Sequence, residues 1–472
     1  MRGESEKPVR AASHPVSHGS SLLPCRGRLV RWLLVAWLAA SALVPSSLHP
    51  VAHFPPFYAH TMTLLTTVIG ALALAWNVLA SRTGVTRRIS ILSVCLLGMA
   101  SVGVTANDHA VASWLCLIWP MLVFVSAPAL AARLVEWGLP DHHRMLQSLA
   151  TAVTAIAIIY ALASVVAPQL GFRGGVSVSL TETRVRGPLA NSATIYVALL
   201  PTAAFWASQV RQKAKHAVPK MLANMAVLAL TFSRAALACA TLWLVWFFLS
   251  RLGRRGYRRT ALAAVVCAVG AIVVAVTSSG LVARLASLDD PYRRASYQSG
   301  VEAFLASPLV GQGFSHVWPW WQRQGELVAG LRQDRWDGLW VTTDYGESLW
   351  NPHSLAVLAA AELGVVGALV VAAMLATPFV LGSGRVTATP VSVALILVGG
   401  SDALLGGSFY AFPELACIWW LYAFLQRSTR SQVPTPVGAW AGSWPQRLRD
   451  ARRPVPWARI QGHGRIVPYG HV

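Results

Sequence analysis

His353 is the residue of this chain best placed for acid–base chemistry. It follows Asn351 and Pro352 and directly precedes an apolar stretch that begins at Ser354. Histidine has an unperturbed pKa of about 6.5, so a neutral imidazole can accept a proton near neutral pH. A histidine at the mouth of an apolar helix, next to a long segment with several arginines, is well placed for chemistry on an anionic, lipid-linked substrate.

Five arginines are candidates for binding such an anion, because a planar guanidinium can bind a phosphate group through two parallel hydrogen bonds. One of them, Arg234, interrupts an otherwise apolar stretch, and an arginine in or near a membrane usually faces a cavity or a partner. The alternative for Arg234 is a turn residue whose side chain extends to the membrane interface. The five candidates are Arg184, Arg186, Arg234, Arg293 and Arg294.

Tryptophans crowd the segment ahead of His353, and their flat indole rings offer apolar surfaces on which sugar rings can stack. A glycan-binding groove and an aromatic belt at the membrane interface are equally good interpretations. The tryptophans concerned are Trp318, Trp320, Trp321, Trp336 and Trp340. The segment also holds Asp334, Asp337, Asp344 and Glu347. These carboxylates show no metal-ligand spacing, so neither a metal nor another cofactor is predicted.

The elements that must position these residues are membrane helices. Of the 472 residues, 55% are hydrophobic and only 12% are charged, and the mean hydropathy is +0.52, which is far from the balance of a soluble protein. Apolar runs close to the roughly 20 residues that cross a bilayer predict an all-α integral membrane protein with about twelve transmembrane helices. The runs are 30–48, 58–80, 89–106, 110–132, 146–167, 189–208, 221–232, 235–250, 261–277, 354–381, 391–405 and 414–426.

Charge placement orients the predicted bundle, because Lys and Arg near the ends of spans favour the cytoplasmic side. With a cytoplasmic N-terminus, about three quarters of the 39 Lys and Arg residues fall on that side. A long periplasmic loop then lies between the ninth and tenth spans. The predicted order is a basic cytoplasmic tail (1–29), nine spans (30–277), the periplasmic loop (278–350), three spans (351–427) and a basic, disordered cytoplasmic tail (428–472).

The formal net charge of +21 predicts no nucleic-acid partner, because a basic cytoplasmic rim beside anionic lipid headgroups accounts for it. The six cysteines have no metal-ligand spacing and imply neither a zinc site nor a disulfide framework. Ala40-Ser41-Ala42 resembles a signal-peptidase site. We nevertheless expect the first span to remain uncleaved, and its removal would leave the later topology unchanged.

Several short motifs occur in an order that resembles one known family. They are Arg184-Val-Arg186-Gly187-Pro-Leu-Ala-Asn191, Thr231-Phe-Ser233-Arg234, Arg294 followed by Ser307-Pro308-Leu309-Val310-Gly311-Gln312-Gly313, and His353 followed by Ala361-Glu362-Leu363-Gly364-Val-Val-Gly367. Together they resemble the successive signatures of the O-antigen ligase and polymerase superfamily. The chain departs from the family pattern at Ser354, where asparagine often follows the histidine, and at Ser192, where a second asparagine is common.

The resemblance implies a polytopic glycosyltransferase of the bacterial inner membrane that takes a glycan from an undecaprenyl diphosphate carrier on the periplasmic face. His353 would be the general base for the acceptor hydroxyl, and the five arginines would hold the leaving diphosphate. Glu362 lies nine residues after His353, on the opposite face of a regular helix, which favours a structural role. The acceptor stays open between a glycan, a lipid and a protein, as does the choice between ligase, polymerase and protein O-oligosaccharyltransferase.

A transporter of polysaccharide or lipid-linked oligosaccharide is the main alternative, since it would also need arginines to hold a diphosphate. Such a protein is expected to carry charged residues deep along a pathway and to show repeats related by symmetry. No such repeat is visible, and Asp402 is the main charged residue embedded in an apolar run. A membrane scaffold without activity is disfavoured by the order of the arginine and histidine motifs.

Overall fold

The computed structural model describes most of the helical part of the chain. The described residues are 52–54, 57–59, 61–80, 84–106, 113–138, 142–166, 195–210, 212–231, 233–250, 291–312, 341–343, 346–348, 354–380, 389–406, 409 and 413–431, with residues 29, 32, 33 and 37. Met1–Ser428 form one compact unit, and Thr429–Val472 form a second, of which residues 429–431 are described.

Eleven helices occupy most of the described ranges, and ten of them coincide with predicted apolar runs. The helices are α1 (Thr61–Ala80), α2 (Gly84–Ala106), α3 (Ser113–Gly138), α4 (His142–Val166), α5 (Tyr196–Val210), α6 (Ala217–Leu230), α7 (Arg234–Leu249), α8 (Pro291–Ala306), α9 (Leu355–Val380), α10 (Pro390–Leu405) and α11 (Pro413–Ser431). The predicted run 261–277 and nearly all of the run 30–48 lie outside the described residues.

Two of the described helices are long and apolar enough to cross a membrane, namely Gly84–Val102 within α2 and the whole of α9. Shorter apolar helices lie in α1, α6, α7 and α10. The outward face of α1 exposes Leu72 and Leu79, which are 67% and 85% accessible, as expected of side chains that face lipid. These features support a membrane-embedded protein, whereas the number of twelve spans stays a prediction.

The segment predicted as one long periplasmic loop contains regular structure. α8 lies within it and begins at Pro291, and proline suits the first position of a helix because its ring fixes a helical φ. Strands β3 (Val341–Thr343) and β4 (Gly346–Ser348) form an antiparallel hairpin in the same segment. A second antiparallel hairpin, β1 (Ala52–Phe54) with β2 (Phe57–Ala59), precedes α1. The two hairpins are additions to the predicted all-α fold, which the described helices otherwise match.

Small residues let the helices pack closely. α1 packs along α3, and where they touch, a Cβ placed on Gly70 would lie 2.3 Å from the Cβ of Ser126. Only glycine fits at that contact, and close approach through small residues is the usual way in which helices associate in lipid. α2 packs on both α3 and α9, so it joins the first three helices to the later part of the chain.

α5 lies at the centre of the second group of helices, where nearly all of its side chains are buried. It packs on α6 and α10, and also on α4. Thr154 of α4 accepts hydrogen bonds from Trp206 of α5 over 3.0 Å and from Asn224 of α6 over 2.8 Å. Thr202 of α5 and Tyr422 of α11 share a hydrogen bond of 2.8 Å. These buried polar contacts join four helices across an apolar interior.

Candidate functional site

The C-terminal end of α10 is the place where other helices begin. The Tyr196 hydroxyl, in the first turn of α5, donates to Ser401 Oγ over 3.4 Å. The Ser354 hydroxyl, directly before α9, donates to the Ala403 carbonyl over 3.0 Å. Ser401 and Ala403 lie near the C-terminus of α10. α5 and α9 therefore begin at the end of the bundle where α10 ends.

α7 begins at the same end, because it runs antiparallel to α10. Trp243 Nε1 donates to the Pro390 carbonyl over 2.9 Å, and Cys239 Sγ donates to the Leu397 carbonyl over 3.5 Å. The N-terminal part of α7 thus lies beside the C-terminal part of α10. Arg234 is the first residue of α7 and lies about 7.5 Å beyond Cys239 at the usual helical rise. This places Arg234 at the level of the α10 C-terminus.

Three helix N-termini meet at this end of the bundle and favour an anion, against the opposite partial charge of the α10 C-terminus and the buried carboxylate of Asp402 at the same end. The unpaired N–H groups of a first turn give each N-terminus roughly half an elementary positive charge. Ser233 caps α7 by accepting the Ala236 N–H over 3.4 Å, which satisfies one of those groups in that helix. Arg234, which is half-buried, adds a full positive charge at the same end.

The Thr231–Arg234 motif forms the turn between α6 and α7. The Thr231 hydroxyl donates to the Leu228 carbonyl over 2.7 Å and accepts the N–H of Ser233 over 3.3 Å. Thr231 and Ser233 are both buried, so their hydroxyls satisfy backbone groups at a break between two helices. The two hydroxyl residues build the turn, and Arg234 is the charged member of the motif, at the first position of α7.

Ser354 fixes the start of α9 next to the residue predicted to be the general base. Its Oγ accepts the N–H of Val357 over 3.3 Å, as an N-cap residue does, while its hydroxyl hydrogen goes to Ala403. His353 directly precedes Ser354 in the sequence and lies outside the described residues. Serine and asparagine are both strong N-cap residues, so Ser354 can replace the asparagine that often stands here in the family.

Asp402 is the buried carboxylate at the end of α10. Its Oδ2 accepts the Phe409 N–H over 3.1 Å, and its backbone carbonyl accepts the Gly406 N–H over 3.1 Å. Asp402 is fully buried. It therefore holds the backbone that follows α10, which gives this embedded carboxylate a structural role at the same end of the bundle.

Two further motifs meet on α9. Arg293 and Arg294 lie in the first turn of α8, and α8 packs against α9. The chain after α8 then docks on α9, where the Gln312 N–H donates to the Ala361 carbonyl over 2.8 Å. Glu362, next to Ala361, is fully buried, and its structural role stays a prediction.

The other predicted site residues lie outside the described part of the chain, and their place in the site stays a prediction. They are Arg184, Arg186, Trp318, Trp320, Trp321, Trp336, Trp340 and His353. Asp334, Asp337 and Asp344 also lie outside it. Among the residues that are described, no group of three or more His, Cys, Asp or Glu is placed to hold a metal ion.

Sequence reasoning missed Tyr196, Ser401 and Ser354 as residues that organise this end of the bundle. A serine directly before an apolar run is a common N-cap pattern, so Ser354 could have been found. Tyr196 and Ser401 are 205 positions apart and lie inside separate apolar runs. Nothing along the sequence predicts that they pair.

Comparison with known families agrees with the motif order. Residues 221–372 match the family model of the O-antigen ligase domain. The match covers about a third of the chain, from α6 into α9, and includes Arg234, Arg293, Arg294 and His353. No curated protein and no solved structure gives a significant match.

The described fold and the matched domain define a class, namely helical proteins embedded in a membrane that carry an O-antigen ligase domain. The match identifies an O-antigen ligase domain in residues 221–372, which confirms the resemblance to the O-antigen ligase and polymerase superfamily predicted from the motifs. The O-antigen ligase family implies an enzyme of the glycosyltransferase type, with lipid-linked glycan donors and glycan acceptors in general.

Proposed function

We propose that the protein transfers a glycan from an undecaprenyl diphosphate carrier to an acceptor hydroxyl on the periplasmic face of the inner membrane. The observation that supports this most strongly is the meeting of three helix N-termini at the end of α10. Arg234 lies there, and so does Ser354, the sequence neighbour of His353. A cation for the leaving group and a base for the acceptor are what transfer from a diphosphate requires.

The positive end of the bundle stabilises the leaving diphosphate. Negative charge builds on the diphosphate as the bond between sugar and phosphate breaks. Positive groups that are already fixed in place around the diphosphate stabilise this charge and lower the activation barrier of transfer. Arg234 and the N-termini of α5, α7 and α9 supply such groups. Arg293 and Arg294 at the start of α8, with Arg184 and Arg186 ahead of α5 in the sequence, complete the proposed clamp.

His353 acts as the general base. Its neutral imidazole takes the proton of the acceptor hydroxyl as the oxygen attacks the anomeric carbon, and the electron pair of the broken bond leaves on the diphosphate. The products are a glycoside of the acceptor and undecaprenyl diphosphate. Because the arginines supply the positive charge that a divalent cation could otherwise provide, the reaction is proposed to be independent of metal ions.

The long segment ahead of His353 holds the glycan. Its tryptophans, Trp318, Trp320, Trp321, Trp336 and Trp340, stack on sugar rings of the donor or the acceptor. The basic residues concentrated on the opposite side of the predicted topology support an orientation in which this segment faces the periplasm. The acceptor is a hydroxyl of a glycan, a lipid or a protein.

A transfer assay with the purified protein in lipid vesicles tests the reaction. The full chain is given a defined oligosaccharide on undecaprenyl diphosphate together with candidate acceptors. Undecaprenyl diphosphate and glycosylated acceptor are expected to form in equal amounts. Hydrolysis of the donor without any glycosylated acceptor, across acceptors of all three classes, would contradict the proposal.

A deletion strain tells the subfamilies apart. Surface glycolipids and carrier-linked intermediates are compared between the deletion strain and its parent. Loss of attachment with full-length chains still on the carrier indicates a ligase, and accumulation of single repeat units indicates a polymerase. Surface glycans and carrier-linked intermediates identical to those of the parent strain would count against both.

A further inference from the structure

The segment after α8 is inserted into a broken turn of α9. Gly364 has a non-helical backbone (φ 68°, ψ −174°) within α9. In a regular helix the Val365 N–H would donate to the Ala361 carbonyl, four residues earlier. Here Val365 donates to the Pro308 carbonyl over 2.9 Å, and Ala361 accepts from Gln312 over 2.8 Å. Each of the two groups that a helix would pair with one another is paired instead with the inserted segment. We call Pro308–Gln312 and Ala361–Val365 together the latch.

Two glycines make the latch possible. Gly311 has a φ of 70° and Gly364 a φ of 68°, values that residues with a side chain rarely adopt. A Cβ on Gly311 would lie 2.4 Å from the backbone carbon of Glu362, and a Cβ on Gly364 would lie 2.2 Å from the Leu309 oxygen. Each glycine thus leaves room for the backbone of the opposite half of the latch.

The latch also holds the end of α8. The buried Gln312 side chain donates through Nε2 to the Ala303 carbonyl over 3.2 Å, and the Gly311 N–H donates to the Ser307 carbonyl over 2.8 Å. One residue, Gln312, therefore binds α9 with its main chain and α8 with its side chain. The position of α8 relative to α9 follows from these bonds.

We propose that the latch positions the arginines of α8 for the reaction, with Gly311, Gln312 and Gly364 as its positioning residues. This inference rests on the proposed function. Arg293 and Arg294 lie on α8, and His353 lies directly before the capped start of α9. The latch joins the two helices, so it sets the position of Arg293 and Arg294 relative to the start of α9.

The test begins with a mild variant, Gln312→Met, which keeps the length of the side chain and removes its donor to Ala303. Gly364→Ala, which places a methyl group against the Leu309 oxygen, is the severe variant. Gly98→Ala is the matched control, because a Cβ at Gly98 in α2 would meet nothing within 4 Å. Thermal unfolding of each purified variant in detergent separates loss of fold from loss of positioning.

Gln312→Met is expected to unfold at a temperature close to that of the wild type, and to transfer glycan on the order of tenfold more slowly at saturating substrates. Gly98→Ala is expected to transfer at the wild-type rate. The latch proposal would be overturned if Gln312→Met and Gly364→Ala both transferred at the wild-type rate while Arg293→Ala/Arg294→Ala transferred measurably more slowly. That result would leave the proposed function intact. Failure of the wild-type protein to transfer glycan would overturn the proposed function itself.

A double-mutant cycle decides whether the latch acts through the arginines. Gln312→Met is combined with Arg293→Ala/Arg294→Ala and the transfer rates are compared. If the latch positions these arginines, the combined variant should be no slower than the arginine variant alone, because the residues act as one unit. Losses that multiply, so that the combined variant is a further tenfold slower, would show that the latch serves the fold independently and would overturn the proposal.

Discussion

The Ser354 hydroxyl donates to the Ala403 carbonyl over 3.0 Å, so a single side chain ties the start of α9 to the end of α10. The same oxygen accepts the N–H of Val357 and caps α9. His353, the proposed general base, is the next residue toward the N-terminus in the sequence. Under the proposed function, Ser354 would fix the start of the helix beside the base, and His353 would accept the proton.

Replacing Ser354 should therefore affect both stability and transfer. Ser354→Ala removes an N-cap, which is typically worth about 0.5–2 kcal/mol, and leaves the Ala403 carbonyl without this donor. Ser354→Asn keeps a capping side chain and should retain more of both properties. Thermal unfolding and transfer rates measure the two effects. Ser250→Ala, at the exposed C-terminal end of α7, is the control and should change neither the unfolding temperature nor the transfer rate by much. Equal unfolding temperatures and transfer rates for Ser354→Ala and Ser250→Ala would contradict this account.

The guanidinium of Arg234 is expected to matter for its shape as well as for its charge. Arg234→Ala should slow transfer by about 10²–10³-fold, the usual cost of removing one group that stabilises the charge of a transition state. Arg234→Lys keeps the charge and loses the bidentate fork, so its rate should lie between those of Arg234→Ala and the wild type. Arg87→Ala, at an exposed position in the first turns of α2, is the matched control. Transfer by Arg234→Ala at the wild-type rate would remove this arginine from the site.

His353→Ala should keep membrane insertion and donor binding and lose transfer. General-base catalysis is worth about 10²–10⁴-fold, so the rate at saturating donor and acceptor should fall by that order while donor affinity changes little. His216→Asn provides a control, because His216 is exposed and has a φ of 63°, which asparagine tolerates. If His353→Ala transfers within a few-fold of the wild type, the base lies elsewhere.

The same base predicts a pH dependence of the wild-type rate. Only the neutral imidazole accepts a proton, so transfer should decline as the pH falls through the histidine pKa, which is about 6.5 when unperturbed. A rate measured from pH 8 to pH 5 should fall on the acidic side, and His353→Ala should not show that step. A profile with the same acidic step in both proteins would assign the titration to another group.

Transfer should survive removal of divalent cations. The proposed arginine clamp carries the positive charge that the leaving diphosphate needs, so incubation with EDTA should leave the rate unchanged. Rates are compared before and after chelation and again after adding back Mg²⁺ or Mn²⁺. Loss on chelation with rescue by either ion would bring the loop carboxylates Asp334, Asp337, Asp344 and Glu347 into the mechanism.

The predicted topology places the site on the outer face. Reporter fusions at Gly325 and after Val472 should report a periplasmic loop and a cytoplasmic C-terminus, since basic residues concentrate on the side of the tail. A third fusion within the basic connection that contains Lys213 and Lys215 should report the cytoplasm. A cytoplasmic signal at Gly325 would overturn the assignment of the site.

The sequence predicts the apolar helices better than it predicts the break within a helix or the polar helix between two of them. The apolar run 354–381 matches α9 within a residue at each end, because burial in lipid demands that length. The break at Gly364 was not predicted, since glycine is common in membrane helices and the break depends on a partner that is distant in the chain. α8 was also missed, because Arg293, Arg294 and its other polar residues give it no apolar run.

Within the candidate site, the types of residue could be predicted and their contacts could not. Arg234 stood out because it interrupts an apolar stretch, and it proves to be the first residue of α7. The pairing of Tyr196 with Ser401 and of Ser354 with Ala403 depends on how three helices pack, which no local pattern encodes. The other arginine and tryptophan assignments stay predictions.

The break in α9 has a consequence for depth in the bilayer. Gly364 lies ten residues after Ser354, or about 15 Å along the helix, and the hydrocarbon core is about 30 Å thick. If α9 crosses the membrane with Ser354 at one boundary, the segment Pro308–Gln312 would meet it near the middle of the bilayer, as a re-entrant loop would, and Leu309 is 70% exposed. Irregular backbone at that depth persists only where its polar groups form hydrogen bonds within the protein. The Ala361 carbonyl and the Val365 N–H of α9 provide such partners, because they are not paired with each other.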